Sequence, residues 1–256
     1  MAEVLLETRG LNRFFGGLQA VKDVSLRVRR GSIQAVIGPN GAGKTTLFNL
    51  IAGTLAADSG EVFFEGRPIT AWKPHAVAAL GIARTFQTTK LFSQMSVLEN
   101  VMAGRHCRGR SGFVAGILDL PRTWREEREA KAKALEIIDE LDLTKYAGET
   151  ASDLPFGRQR LVEFARAMAM EPSLLLLDEP AAGLNIYETK ELASLITRIR
   201  DKGVTCLVVE HDMSLVMDIS DEVVVLDQGR KIAEGPPRAI QRNAEVIRIY
   251  LGDGNA

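Results

Sequence analysis

Gly38-Pro39-Asn40-Gly41-Ala42-Gly43-Lys44-Thr45 decides the reading of this chain, because it matches the spacing G-x-x-x-x-G-K-[ST]. Just before it, Ile33–Ile37 has the pattern of a buried strand. Just after it, Lys44–Ala52 reads as a helix that ends near Gly53. A strand, a glycine-rich turn and a helix start, in that order, predict a loop whose backbone N–H groups close around phosphate oxygens with no Cβ in the way. The helix terminus adds partial positive charge. Lys44 is expected to reach the β- and γ-phosphates of a nucleotide, and the Thr45 hydroxyl to bind Mg2+. Thr46 completes the expected nucleotide-binding set. A glycine-rich turn without chemistry is the bland alternative, and the flanking strand and helix count against it.

Working outward, Leu174–Leu177 is an apolar run, and it ends in Asp178 and Glu179. A buried strand that ends in acids puts them at the carboxyl edge of a sheet, where α/β proteins bind ligands. Asp178 is expected to hold Mg2+, directly or through water, and Glu179 to polarise an attacking water.

Around these two sites the pattern divides. Val4–Thr8, Val24–Val28 and Glu61–Phe64 read as strands, so the N-terminal part is β-rich. From Thr88 to Met170 the periodicity is mostly helical. Ser96 and Glu99 have capping-box spacing, and Thr123–Leu141 is amphipathic, with Trp124, Ala130, Leu135, Ile138 and Leu141 as the expected buried stripe. Gln159–Met170 is a further helix, and 104–121 is irregular. Strand and helix then alternate again, with strands at Leu174–Leu177, Val204–Val209 and Glu222–Leu226, and a helical tail over Pro236–Leu251. The expected fold class is α/β: a P-loop NTPase core with a β-rich N-terminal subdomain and an inserted α-helical subdomain. Its expected division is 1–87 and 171–256 for the core and about 88–170 for the insertion, all within a single domain.

Composition narrows the function classes. The 256 residues carry 32 Lys and Arg against 33 Asp and Glu, a formal charge of −1, which argues against a large nucleic-acid face. Cys107 and Cys206 form no CxxC pair, so neither a zinc site nor a disulfide framework is expected. The N-terminus lacks the apolar segment of a signal peptide, and no stretch approaches the roughly 20 apolar residues that span a bilayer.

Five further features complete a set that resembles the ABC transporter ATP-binding subunits over nearly the full length. Phe15 lies just before Gly16-Gly17, Gln87 closes Arg84-Thr85-Phe86-Gln87, and Leu154-Pro155-Phe156-Gly157-Arg158-Gln159-Arg160 lies between the two phosphate-site motifs' helical and acidic ends. Ala181-Ala182-Gly183-Leu184-Asn185 follows the acids, and His211 stands in Glu210-His211-Asp212. The resemblance implies that Phe15 stacks on adenine and that Gln87 senses Mg2+ and faces a membrane partner. It implies that Leu154–Gln159 is the signature loop acting in trans, that Asn185 ends the D-loop, and that His211 contacts the γ-phosphate. It further implies ATP and Mg2+ as ligands, a second ATPase subunit, integral membrane permeases and, indirectly, a periplasmic solute-binding protein. The expected place is the cytoplasmic face of the inner membrane.

The chain departs from the family at the signature, usually L-S-G-G-Q. Pro155 replaces Ser, Phe156 the first Gly and Arg158 the Gln, so a hydroxyl and one N–H donor are lost. Asn185 stands where Asp is common. Both departures favour a heterodimer over two identical copies.

Several stretches resemble the branched-chain amino acid importer subfamily: Phe15-Gly-Gly-Leu18, Met95-Ser-Val-Leu-Glu-Asn100, Leu177–Asn185, Glu210–Ser220 and Ala244–Gly252. Urea or amide importers and lipopolysaccharide-export ATPases share much of this wording. A nucleic-acid-acting ABC ATPase is the alternative from another class.

Overall fold

The structure is a computed structural model and describes residues 3–85, 90–105 and 121–251. Met1–Arg84 with Ser173–Ala256 form one compact unit, and Thr85–Pro172 form a second.

The first unit contains two sheets. In the antiparallel one, β1 (Val4–Phe15) and β2 (Leu18–Arg29) make a long hairpin through Gly16 and Gly17, and β4 (Ser59–Phe64) and β5 (Arg67–Pro68) extend it in the order β2-β1-β4-β5. The hairpin arms are longer than the apolar runs predict. Beyond those runs Asn12 Oδ1 accepts from Gln19 Nε2 at 2.9 Å and from Asp23 N–H at 3.0 Å, so polar cross-strand contacts continue the ladder where hydrophobicity lapses.

The other sheet has the order β10-β9-β3-β8-β7-β6. Its members are β3 (Ile33–Ile37), β6 (Ile82–Arg84), β7 (Leu174–Asp178), β8 (Thr205–Val209), β9 (Glu222–Asp227) and β10 (Arg230–Gly235). All neighbours are parallel except β10, which returns antiparallel to β9. Strands β3, β7 and β8 are buried at every residue, as expected of parallel strands covered on both faces.

Period-2 alternation sorts their side chains between two cores. Val36, Leu174, Leu176, Leu207 and Val209 join Leu47, Phe48 and Ile51 of helix α1 (Lys44–Ile51), together with Leu6, Leu26 and Phe64 of the antiparallel sheet. Ala35, Ile37, Val223 and Val225 face the other way, onto Val216 of α7 (Met213–Ile219), Ile240 of α8 (Pro237–Ile240) and Val246 of α9 (Ala244–Leu251). Helices α2 (Pro74–Ala79) and α6 (Ile186–Asp201) complete this unit. The tail is two helices rather than the one expected. Asn243 Oδ1 accepts from the N–H groups of Glu245 at 3.0 Å and Val246 at 3.2 Å, and so starts the chain again as a new helix.

In the second unit, α3 (Val97–Arg105) opens with the expected capping box: Ser96 N–H donates to Glu99 Oε2 at 2.7 Å, and Glu99 N–H to Ser96 Oγ at 3.2 Å. Gly104 lets α3 approach α5 (Phe156–Met168) closely, since a Cβ there would stand 2.1 Å from the Arg166 carbonyl. Helix α4 (Pro121–Glu140) buries Ala134, Ile137 and Ile138, followed by Leu141. Leu135 is 41 % exposed, which corrects the expected stripe: the buried face runs one position earlier, through Ala134. Helix α5 begins at Phe156, three positions before the expected start, with Pro155 as its N-cap.

Candidate active site

The loop Gly38–Thr45 leaves β3 and enters α1 at Lys44. Gly38, Gly41 and Gly43 have φ of 151°, 83° and 96°, a path closed to most side chains. It is also crowded. A Cβ on Gly38 would lie 2.1 Å from the Leu226 carbonyl oxygen, and one on Gly43 2.3 Å from that of Ala20. The loop closes through Ala42 N–H to Pro39 O at 3.1 Å, and Gly229 N–H donates to Ala42 O at 3.0 Å. Asn40, Gly41 and Thr45 are exposed, and Thr46 is half-buried. At the start of α1 the N–H groups of Lys44, Thr45 and Thr46 have no intrahelical acceptor.

Lys44 is buried, and its Nζ donates to Gly38 O at 2.7 Å and Pro39 O at 3.1 Å. Burial lowers its pKa from the ordinary lysine value, while the carboxylates of Glu179 and Asp178 oppose that shift. Strand register brings the loop and the acids to one sheet edge, since Val209 of β8 stands opposite both Val36 of β3 and Asp178 of β7.

Asp178 ends β7 and is buried beside Val209, the last residue of β8. The chain then turns at Glu179, whose φ is 46° and whose N–H donates to Val209 O at 2.9 Å. His211 follows β8, with Nδ1 3.8 Å from Glu179 Oε1. Two neighbours fix it. Glu210 is buried and its carboxylate accepts from the N–H groups of Ala181 at 2.8 Å, His211 at 3.0 Å and Asp212 at 3.3 Å. Asp212 caps α7 by accepting from Ser214 and Leu215 N–H. No local pattern marks Glu210, because its partner at Ala181 lies on another loop.

Phe15 stands at the hairpin tip, 48 % exposed, with the Arg13 guanidinium 5.0 Å from its ring centre. The hairpin's return strand brings Ala20 against Gly43, so the aromatic and the glycine loop belong to neighbouring backbone. Asn185 is the N-cap of α6: its side chain accepts from the N–H groups of Tyr187 at 2.9 Å and Glu188 at 3.1 Å, and Glu188 returns a bond to its N–H. Gln87 lies outside the described residues.

The Leu154–Gln159 stretch belongs to the second unit. Leu154 is buried, and Gln159 Nε2 donates to its carbonyl at 2.8 Å. Arg158 and Gln159 N–H both donate to Pro155 O, which leaves Phe156 and Gly157 as the open donors of the first turn. Phe156 is exposed, and Arg160, buried against Glu163 at 2.9 Å, lies 5.7 Å from its ring.

The donor set fits nucleotide with magnesium. Among the described residues, no group of three His, Cys, Asp or Glu surrounds a common point. A Thr hydroxyl and one carboxylate suit an ion that takes its other ligands from phosphate and water. Cys206 offers no competing chemistry, because burial pushes its thiol up to about 12.

Comparison with known proteins points the same way. The family profile described as "ABC transporter" matches residues 21–182, and that described as "Branched-chain amino acid ATP-binding cassette transporter" matches residues 230–256. The chain is 43 % identical over 254 residues to the high-affinity branched-chain amino acid transport ATP-binding protein BraF of Pseudomonas aeruginosa, covering 99 % of this chain and 100 % of that protein. It is 42 % identical to the corresponding protein LivG of Escherichia coli, with the same coverage. A crystal structure of an ATP-binding cassette of an ABC transporter in its ADP conformation superposes with a TM-score of 0.86 at 34 % identity, covering 98 % of this chain and all of the other.

Proposed function

Given that this chain belongs to the family of ABC transporter ATP-binding subunits, we propose that the transporter it energises imports branched-chain amino acids. The chain is an ATPase whose turnover is coupled to transport. The observation that carries the site reading is the meeting of Lys44, Asp178, Glu179 and His211 at the carboxyl edge of one parallel sheet. For the solute, support comes from relatives named as branched-chain amino acid transport proteins and from the matching C-terminal segment.

In this reading the N–H groups of Gly41 and of residues 43–46 and the Lys44 ammonium bind the phosphates of ATP, and Phe15 offers its exposed ring to adenine. Thr45 and Asp178 would hold Mg2+, with Gln87 as a further ligand, and bound there it would supply neutralisation of the phosphate charge. Glu179 accepts a proton from the attacking water, and its turn on Val209 O aims it there. His211, positioned by Glu210 and Asp212, contacts the γ-phosphate.

The first turn of α5 completes the ATP site of a partner ATPase through Phe156 and Gly157 N–H, with Leu154 and Gln159 bracing the loop behind Pro155 and Arg158. Among the described residues no helix is long and apolar enough to cross a membrane, so the solute path belongs to separate permease subunits. The chain docks on their cytoplasmic side through the helical unit.

The test is ATP-driven uptake in proteoliposomes holding this chain with its permeases, partner ATPase and binding protein. Saturable uptake of labelled leucine, competed by isoleucine and valine, is expected. Uptake of urea or short amides with no leucine transport would overturn the solute assignment.

A further inference from the structure

We infer that Arg84 is a positioning residue for the magnesium-binding carboxylate of Asp178, and that it ties that carboxylate to the phosphate-binding helix. This rests on the ATPase reading above. Arg84 is the last residue of β6, in register with Leu176 of β7, so its side chain runs along the sheet edge toward the acid that ends β7. One terminal nitrogen, Nη2, donates to Asp178 Oδ2 at 2.8 Å, and the other, Nη1, donates to Asn49 Oδ1 at 2.7 Å. The Arg84 and Asp178 side chains are only 11 % and 4 % exposed, so solvent screens the pair little. Asn49 belongs to α1, the helix that begins with Lys44 and Thr45.

A guanidinium is planar, and its two outer nitrogens are fixed relative to one another. Bonding both therefore sets the angle of the Asp178 carboxylate against α1. With Oδ2 held by Arg84, Oδ1 is the oxygen assigned to the ion. Such outer partners of a metal-binding carboxylate typically matter by 10- to 100-fold in metal affinity.

Charge and orientation make opposite forecasts here. Arg84 is a cation beside a cation site, so by charge alone its removal would tighten Mg2+ binding. By orientation, its removal frees a buried carboxylate to rotate and weakens Mg2+ binding. The sign of the change separates the two.

The experiment is thermal denaturation of the purified chain with a non-hydrolysable ATP analogue, first in EDTA and then across a Mg2+ titration. Arg84→Gln is expected to keep the EDTA shift given by the analogue and to raise the half-saturating Mg2+ about tenfold. Arg84→Lys keeps the charge but cannot bridge both acceptors, so a rise is expected there too. Asn49→Ala leaves the ion pair but frees its other end, and a smaller rise is expected. Unchanged or tighter Mg2+ dependence in Arg84→Gln would overturn the inference. Should that variant not fold, an unchanged half-saturation in Asn49→Ala would do so. Failure of the wild-type chain to respond to the analogue at all, with or without Mg2+, would instead sink the ATPase reading.

Discussion

At Gly43 two constraints meet: φ of 96° and a Cβ position 2.3 Å from the Ala20 carbonyl oxygen. At Gly41 only the first applies, since φ is 83° but a Cβ would meet nothing within 4 Å. The two glycines therefore separate backbone strain from crowding. Gly41→Ala should cost about 1–2 kcal/mol, the left-handed term alone. Gly43→Ala must also push β2 off the loop, and should lower both stability and nucleotide affinity by more than tenfold; equilibrium unfolding and nucleotide titration on both variants check this. Equal, small effects at the two positions would contradict the geometry. These glycines were legible in the sequence because a phosphate loop dictates its own backbone path. Arg84 and Glu210 were not: their partners Asp178 and Ala181 are 94 and 29 residues away in the chain, and only strand register brings them together.

At the scale of the element, caps explain most of what periodicity misplaced. Periodicity finds the middle of a helix, while its ends depend on one side chain reaching one N–H. Pro155 starts α5 early because its fixed φ suits an N-cap and its missing N–H leaves nothing unsatisfied. Asn243 splits the tail by the same logic. Hydrophobicity places Leu135 in the expected stripe of α4, whereas the small Ala134 is the residue buried there. Asn185 also has a local account, as half of a capping box with Glu188. Asp caps equally well and suits a helix N-terminus. Asn185→Asp should therefore leave stability within a few tenths of a kcal/mol, and Asn185→Ala should lose about 1 kcal/mol, read from the urea midpoint. A large loss in the Asp variant would show that the amide has work beyond capping.

At the scale of the molecule, the class of fold could be read from two strand-length stretches, Ile33–Ile37 and Leu174–Leu177, each ending in chemistry. Strand order could not be read: β3 lies between β8 and β9, and no local period encodes a neighbour from the far end of the chain. That order is nonetheless what makes the site. Placing β3 beside β8 and β8 beside β7 sets the Lys44 loop, His211 and the Asp178–Glu179 pair along one sheet edge. In the proposed function binding and hydrolysis fall to different groups, the loop and Lys44 to hold phosphate and Glu179 to take the proton of the attacking water. Glu179→Gln keeps the size and the turn but removes the proton acceptor. The most direct measurement is ATP binding and phosphate release on the same purified Glu179→Gln sample. ATP affinity within about threefold of wild type, with phosphate release slowed at least about 100-fold, is the predicted result. Phosphate release near the wild-type rate would contradict the account.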